Sequence, residues 1–455
     1  MQEFRQDTYH AQPSALGLVP FFVFIVTYLG TGIYLELVGV KMGFYQLPGP
    51  VAASVGVASA FLLFKSDLNQ KFNDFLAGCG DKNIMTMCVI YLLAGAFAVV
   101  SKAMGGVDST VNLGLTYIPV EYLAAGVFVI AAFISTAIGT SVGAIVALGP
   151  IAVGLAQQSG LSMPLILAAL LGGAMFGDNL SIISDTTIAS TRTQDVAMND
   201  KFKINLYIAL PASLLTVVLL LIFGRPESVV PLSVHDFQVL KTLPYLLVLI
   251  LALLGLNVFL VLFVGVVLSG GIGLYYGNFT LLSFGKEIYN GFSNMQEIFL
   301  LSLLTGGIAF MVTREGGVAW VISKIEKLIV GPKSAKVGIA ALVSVVDLAV
   351  ANNTVAIVIV GEITKKISVK FGVDRRESAV ILDIFSCIFQ GLIPYGAQML
   401  ILLGFAKGSV DFLSVLPLLW YQGLLGLLTL LYIFWSAYSA WVLKSLTPKT
   451  TGAQA

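Results

Sequence analysis

The stretch LILAALLGGAMFGDNLSIISDTT occupies residues 165–187. Its first twelve residues are apolar or glycine, and its last eleven hold Asp178, Asn179, Ser181, Ser184, Asp185, Thr186 and Thr187. Wound as a helix, those polar groups would cover every face and leave none for lipid. The pattern therefore predicts an interrupted membrane helix. An unwound turn frees backbone carbonyls, which with Asp, Ser and Thr oxygens can surround a hard cation. All-oxygen donors suit Na+ better than a transition metal, with Asp178 and Asp185 supplying the charge.

The rest of the chain agrees with a membrane setting. Of 455 residues, 58% are hydrophobic and 11% charged, against about 25% charged in soluble domains. Mean hydropathy is +0.95. A net charge of +1 gives no electrostatic basis for binding nucleic acid. Cys79, Cys88 and Cys387 are scattered, which argues against a disulfide framework or zinc site. His10 and His235 both fall in polar flanks, so a histidine relay is not expected. Leu16–Leu35 is too long for a signal-peptide core and reads as a first membrane helix. Thr242–Gly285 runs 44 residues without a charge. As helix that is about 66 Å, twice the hydrocarbon thickness, so it must turn back, and Asn257 is the expected turn.

The expected architecture is an all-α polytopic membrane protein of two inverted-topology repeats. Each repeat would have about five membrane crossings plus a re-entrant hairpin and an interrupted helix. The expected boundaries are a cytoplasmic N-terminal tail at 1–15, a first repeat at 16–223, an extracytoplasmic linker at 224–241, a second repeat at 242–435 and a cytoplasmic C-terminal tail at 436–455. Folded-back pairs are read at 119–156 and 337–368, and interrupted helices at 163–189 and 378–403. At an offset of 211, Gly95 falls on Gly306 and Gly105-Gly106 on Gly316-Gly317; at 212, Ala144-Ile145-Val146 falls on Ala356-Ile357-Val358 and Gly149 on Gly361. With the N-terminus inside, nineteen of 25 Lys and Arg, Lys201 and Lys336 among them, fall in cytoplasmic segments, as the positive-inside rule requires.

Each carboxylate at membrane depth needs a reason, because burying it there is costly. Those expected inside are Asp178, Asp185, Asp347, Asp383 and, nearer the cytoplasmic end, Glu362. No Lys or Arg lies deep enough in the predicted spans to neutralise them, so protons, cations or backbone must be their partners. The repeat-related segment is Gln390-Gly-Leu-Ile-Pro-Tyr-Gly-Ala-Gln398, in which Asp178 maps onto Gln390 and Asp185 onto Ala397. Ion-binding charge is thus expected on the first copy, with Asp347 as an additional acid and Asp383 either partly compensating or lying at the interface near the cytoplasmic end. The uncharged polar turns Thr140-Ser141 and Asn352-Asn353-Thr354 would bring neutral oxygens and half-helix N-termini to the site. Hydrogen bonding between helices is the competing role for such small polar residues.

The run Phe176-Gly-Asp-Asn-Leu-Ser-Ile-Ile-Ser-Asp-Thr-Thr187 resembles the signature of the NhaC family of sodium/proton antiporters, as does Phe389-Gln-Gly-Leu-Ile-Pro-Tyr-Gly-Ala-Gln398. The order of elements is similar from about Leu16 to Trp435. More distantly, Asn352-Asn353-Thr354 resembles the Ser-Asn-Thr hairpin tips of sodium-coupled dicarboxylate carriers, from which Gly139-Thr140-Ser141 departs. The resemblance implies exchange of Na+ for H+ across a bacterial cytoplasmic membrane, with no cofactor beyond the transported ions. Because NhaC-like proteins include exchangers of small organic anions such as malate and lactate, a coupled carrier of a small carboxylate or amino acid is the alternative. A homodimer is left open. No nucleophile, base and orienter set points to an enzyme.

Overall fold

A computed structural model describes residues 12–40, 43–225, 237–254 and 256–446. The ends of both expected tails and most of the expected linker lie outside them, as do His10 and His235. Among the described residues every regular element is helical. Nine helices among the described residues are long and apolar enough to cross a membrane, and the bent pair Phe412–Leu418 and Trp420–Phe434 would make a tenth.

Ten helices run from the N-terminus to residue 223. They are α1 (Ala15–Leu35), α2 (Gly49–Leu63), α3 (Leu68–Cys79), α4 (Lys82–Ala103) and α5 (Gly106–Tyr117). Then come α6 (Leu123–Ile138), α7 (Ser141–Ser159), α8 (Met163–Leu180), α9 (Asp185–Gln194) and α10 (Met198–Phe223). Ten more follow, beginning with α11 (Val239–Leu253), α12 (Val258–Tyr275), α13 (Leu281–Asn294), α14 (Gln296–Arg314) and α15 (Gly317–Glu326). The series ends with α16 (Pro332–Val350), α17 (Asn353–Phe371), α18 (Arg375–Leu392), α19 (Ala397–Ala406) and α20 (Trp420–Phe434), followed by α21 (Ser436–Leu446). Asn257 does mark the turn between α11 and α12, where its side chain caps α12 by accepting from the Phe259 amide at 2.9 Å.

The element boundaries recur. Helices α7, α8 and α9 begin and end 212 residues before α17, α18 and α19. The left-handed residues recur too: Gly105 with Gly316, Gly139 with Ala351, Gly160 with Gly372, and Asp195 with Lys407. Left-handed backbone is disfavoured for residues with a Cβ, so keeping it at Ala351, Asp195 and Lys407 shows that the turn geometry outlasts its preferred residue. One packing contact recurs as well. A Cβ on Gly149 would lie 2.3 Å from Phe405, and one on Gly361 would lie 2.4 Å from Thr193, again 212 residues apart on both sides. The second arm of each broken helix therefore lies against the hairpin of the other half.

Four short helices, α3, α5, α13 and α15, were not expected from the sequence. Polar and charged residues among their apolar ones keep them below the hydropathy of a span, and the sequence reads them as connections.

Candidate functional site

Asp178 closes the last turn of α8, and small residues put it there. A Cβ on Gly173 would lie 2.1 Å from the Phe128 carbonyl oxygen, and one on Gly177 would lie 2.2 Å from Ser135 Cβ. Small residues one turn apart thus let α8 close directly on α6. The Ser135 hydroxyl fastens the contact by donating to the Ala174 carbonyl at 2.6 Å.

The break after α8 spans residues 181–184, and side chains stabilise it. The Thr187 hydroxyl donates to the freed Ser181 carbonyl at 2.8 Å, and the Ile183 amide donates to Ser181 Oγ at 3.3 Å. Ser184 is the extended N-cap residue of α9. Its hydroxyl turns inward and donates to Asp178 Oδ1 at 3.0 Å. The other carboxylate oxygen, Oδ2, accepts from Ser141 Oγ at 2.6 Å, the first residue after the tip of the first hairpin.

A polar chain extends from this carboxylate in both directions. On one side Ser184 and Thr186 share a hydrogen bond between their hydroxyls at 3.0 Å. On the other, Gln398 Nε2 donates to Ser141 Oγ at 3.0 Å, and Gln390 Nε2 donates to Gln398 Oε1 at 2.8 Å. Two broken helices and one hairpin tip, far apart in sequence, thus meet around one acid. Asp178, Ser141, Ser184, Gln390 and Gln398 are all buried, and no ion pair among the described residues includes Asp178.

Asp383 is held differently, and here the sequence reading is corrected. Lys201 Nζ lies 2.7 Å from Asp383 Oδ2, and both side chains are fully buried. The same ammonium donates to the Asn179 carbonyl at 2.6 Å and to Thr187 Oγ1 at 2.7 Å. Asn205, one turn along α10, donates to the Asn179 carbonyl at 2.5 Å and to Asp383 Oδ2 at 3.3 Å. A basic residue does neutralise one of the interior acids, and Lys201 is not the cytoplasmic loop charge that the hydropathy map took it for. One of its protons also takes up the Asn179 carbonyl that the break had freed. The hydroxyls gathered around the Asp178 carboxylate are those of Ser141 and Ser184, with Thr186 joined through Ser184. Lys336, another of the expected cytoplasmic charges, is likewise buried and lies 2.6 Å from Glu377 Oε1.

The remaining sequence candidates scatter. Asp185 is exposed at the first position of α9, while Asp178 is buried. Asn179 is fully buried and donates to the Met175 carbonyl at 3.0 Å. Ser181 lies in the break, buried. At the second tip, Asn352 spends its carbonyl oxygen on its own helix, accepting from the Val355 amide at 3.0 Å, and Asn353 accepts from the Thr354 amide at 2.9 Å. Thr140 and Thr354 are half-buried. A small cavity of about 30 Å³ lies where Asn352, Asn353, Gln390, Tyr395 and Gln398 approach Tyr91 of α4 and Ser302 of α14. Asp347 is fully buried on α16.

Beyond the spans, Asp195 follows α9 and faces Lys365 Nζ at 2.5 Å and Arg375 Nη1 at 3.4 Å. The Lys365 ammonium, with Arg375 adding a smaller effect, holds the Asp195 carboxyl below the usual carboxylate range. Neighbouring Gln194 donates to the Gly361 carbonyl at 2.9 Å and to Thr364 Oγ1 at 3.1 Å, so the end of α9 is fixed to α17.

The Na+/H+ antiporter family model matches residues 22–225, which carry the first hairpin, the first broken helix and Lys201. The NhaC Na+/H+ antiporters of Bacillus subtilis and Alkalihalophilus pseudofirmus are 24% and 26% identical, covering 70% and 75% of this chain and 77% and 80% of their own. These matches support an NhaC-type Na+/H+ antiporter. A malate-2H+/Na+-lactate antiporter of Bacillus subtilis is 22% identical over 92% of this chain and 96% of its own. The family match and these relatives indicate a transporter, and the apolar helices make it a multi-pass membrane protein.

Proposed function

We propose that this protein exchanges Na+ for H+ across a bacterial cytoplasmic membrane, with both termini inside, by alternating access between two inverted halves. One observation carries the reading: Asp178 is buried, takes hydroxyl donors from Ser141 and Ser184 and has no ion-pair partner among the described residues, where both broken helices and the first hairpin converge. A carboxylate so placed can be satisfied by a proton or by a small hard cation, and the two exclude each other. Ser141, Ser184 and Thr186 supply neutral oxygens that need move little to ligate Na+. Lys201 fixes the break from behind and keeps Asp383 from competing for the ion. Alternation would come from the hairpins moving with the broken arms packed on them, relative to the remaining helices.

Inverted vesicles provide the test. Added Na+ should dissipate a preformed pH gradient with the native chain, and Asp178→Asn should lose that response while folding and inserting normally. Wild-type exchange in the Asp178→Asn variant would remove the proposed site.

A second reading, exchange of a small carboxylate, is favoured by the malate/lactate relative that matches nearly the whole chain. Accumulation of labelled malate or lactate under a Na+ or pH gradient would select it.

A further inference from the structure

Asp347 has no place in the network around Asp178. It sits on α16 one turn before the second hairpin tip, fully buried, and neither carboxylate oxygen accepts a hydrogen bond from any described residue. No ion pair among the described residues includes it. A bare anion in that position would lose its hydration with nothing in exchange, so the neutral acid is the form this packing accepts.

The recurring architecture gives Asp347 a meaning. The residue 212 positions earlier is Ser135, whose hydroxyl only ties α6 to α8. The residue 212 positions after Asp178 is Gln390. Among the described residues each half therefore keeps one buried carboxylate without an ion-pair partner: on the broken helix in the first half, on the hairpin in the second. The backbone links Asp347 to the moving part, because its carbonyl accepts from the amide of the left-handed Ala351 at 2.7 Å. The titratable neighbours within electrostatic reach are Tyr395 in the second break and Cys387 on α18. Tyr395 also lines the cavity at the second tip, and its hydroxyl donates to the Leu348 carbonyl at 2.9 Å. Water in that cavity would thus be one side chain away from the buried acid.

We propose that Asp347 is a second proton-carrying site, separate from Asp178, which loads and unloads one proton in each transport cycle. The step is a plain acid–base transfer: an O–H bond forms on the carboxylate from water on one side and breaks toward water on the other, with no electron moved. The proposal rests on the Na+/H+ reading above and assigns the second half its own share of the coupled charge.

The full-length chain in liposomes decides it. The H+ to Na+ ratio is read from the Na+ gradient that just balances an imposed pH gradient, and 22Na+ binding is measured on the same preparations. The expected ratio is two for the native chain and one for Asp347→Asn, with 22Na+ binding retained in Asp347→Asn and lost in Asp178→Asn. Asp347→Ser, which copies the first half, should behave as Asp347→Asn and guards against a defect peculiar to the amide. A native ratio of one, or an unchanged ratio in both variants, would overturn the second site while leaving Na+/H+ exchange in place. A native chain without Na+-coupled proton flux would overturn the underlying reading and this proposal together.

Discussion

The two broken helices have nearly the same backbone and different means of holding it. After α8 the chain leaves the helix at Ser181 (φ −68°, ψ 133°) and re-enters from Ser184 (φ −64°, ψ 141°). After α18 it leaves at Ile393 (φ −77°, ψ 120°) and re-enters from Gly396 (φ −73°, ψ 147°). The second break contains Pro394, which has no amide hydrogen to continue a helix and is common just past a helix end. The first break, Ser-Ile-Ile-Ser, has no such residue, so Thr187, Lys201 and Asn205 take up its freed carbonyls. Charge is therefore not what breaks a helix here. The break is a shared backbone shape, and only the first carries an acid at its edge, Asp178, and a buried lysine, Lys201, bonded to one of its freed carbonyls.

That contrast can be broken experimentally at several points. The largest effect should come from Asp178→Asn, which leaves the backbone of the first break intact but removes its charge. Na+-driven proton flux should fall to the level of empty vesicles with little change in melting temperature. Lys201→Met should do the opposite to the fold. It strands a fully buried Asp383 and should destabilise the detergent-solubilised protein by about 3–5 kcal/mol. Adding Asp383→Leu should recover most of that loss in a thermal melt; no recovery would mean that Lys201 acts mainly through the Asn179 carbonyl.

The hairpin tips give smaller differences. Gly139→Ala places a Cβ at φ +79°, 2.8 Å from Ile183, and should cost about 1–2 kcal/mol or more. Ala351→Gly relieves a left-handed alanine at φ +50° but loosens the unfolded chain, so a gain of about 1 kcal/mol or less is expected. Equal responses at the two tips would contradict their shared geometry.

The smallest effect belongs to Asp195. Its carboxyl ionises more readily folded than unfolded, so its contribution is present above the unfolded value of about 3.9 and is lost as pH falls through the lower folded value. Melting curves of the native chain and Asp195→Asn should differ at neutral pH and converge in acid below about pH 4.

Much of this molecule could be read one residue at a time. The break at 181–184 was legible because polar residues on every face of an apolar stretch leave no orientation suited to lipid. The spacing of 212 was legible because glycines at tight contacts, such as Gly149 and Gly361, resist replacement by anything larger. The turn at Asn257 followed from length alone. Hydropathy failed at α3, α5, α13 and α15, where charged residues on short amphipathic helices look like loops. It failed again at Lys201, because a lysine near a predicted helix end resembles a cytoplasmic anchor until its partner is known.

The sequence by itself determined the class of protein, the positions of both interruptions and the first acid, since each follows from the local cost of polar groups in lipid. Only the tertiary structure decided which acids stand alone. Lys201 and Asp383 are 182 positions apart, and Ser141 reaches Asp178 across 37, so no periodicity could join them. Whether a buried carboxylate is free for an ion depends on what packs against it, and that is set by contacts between helices distant in the chain.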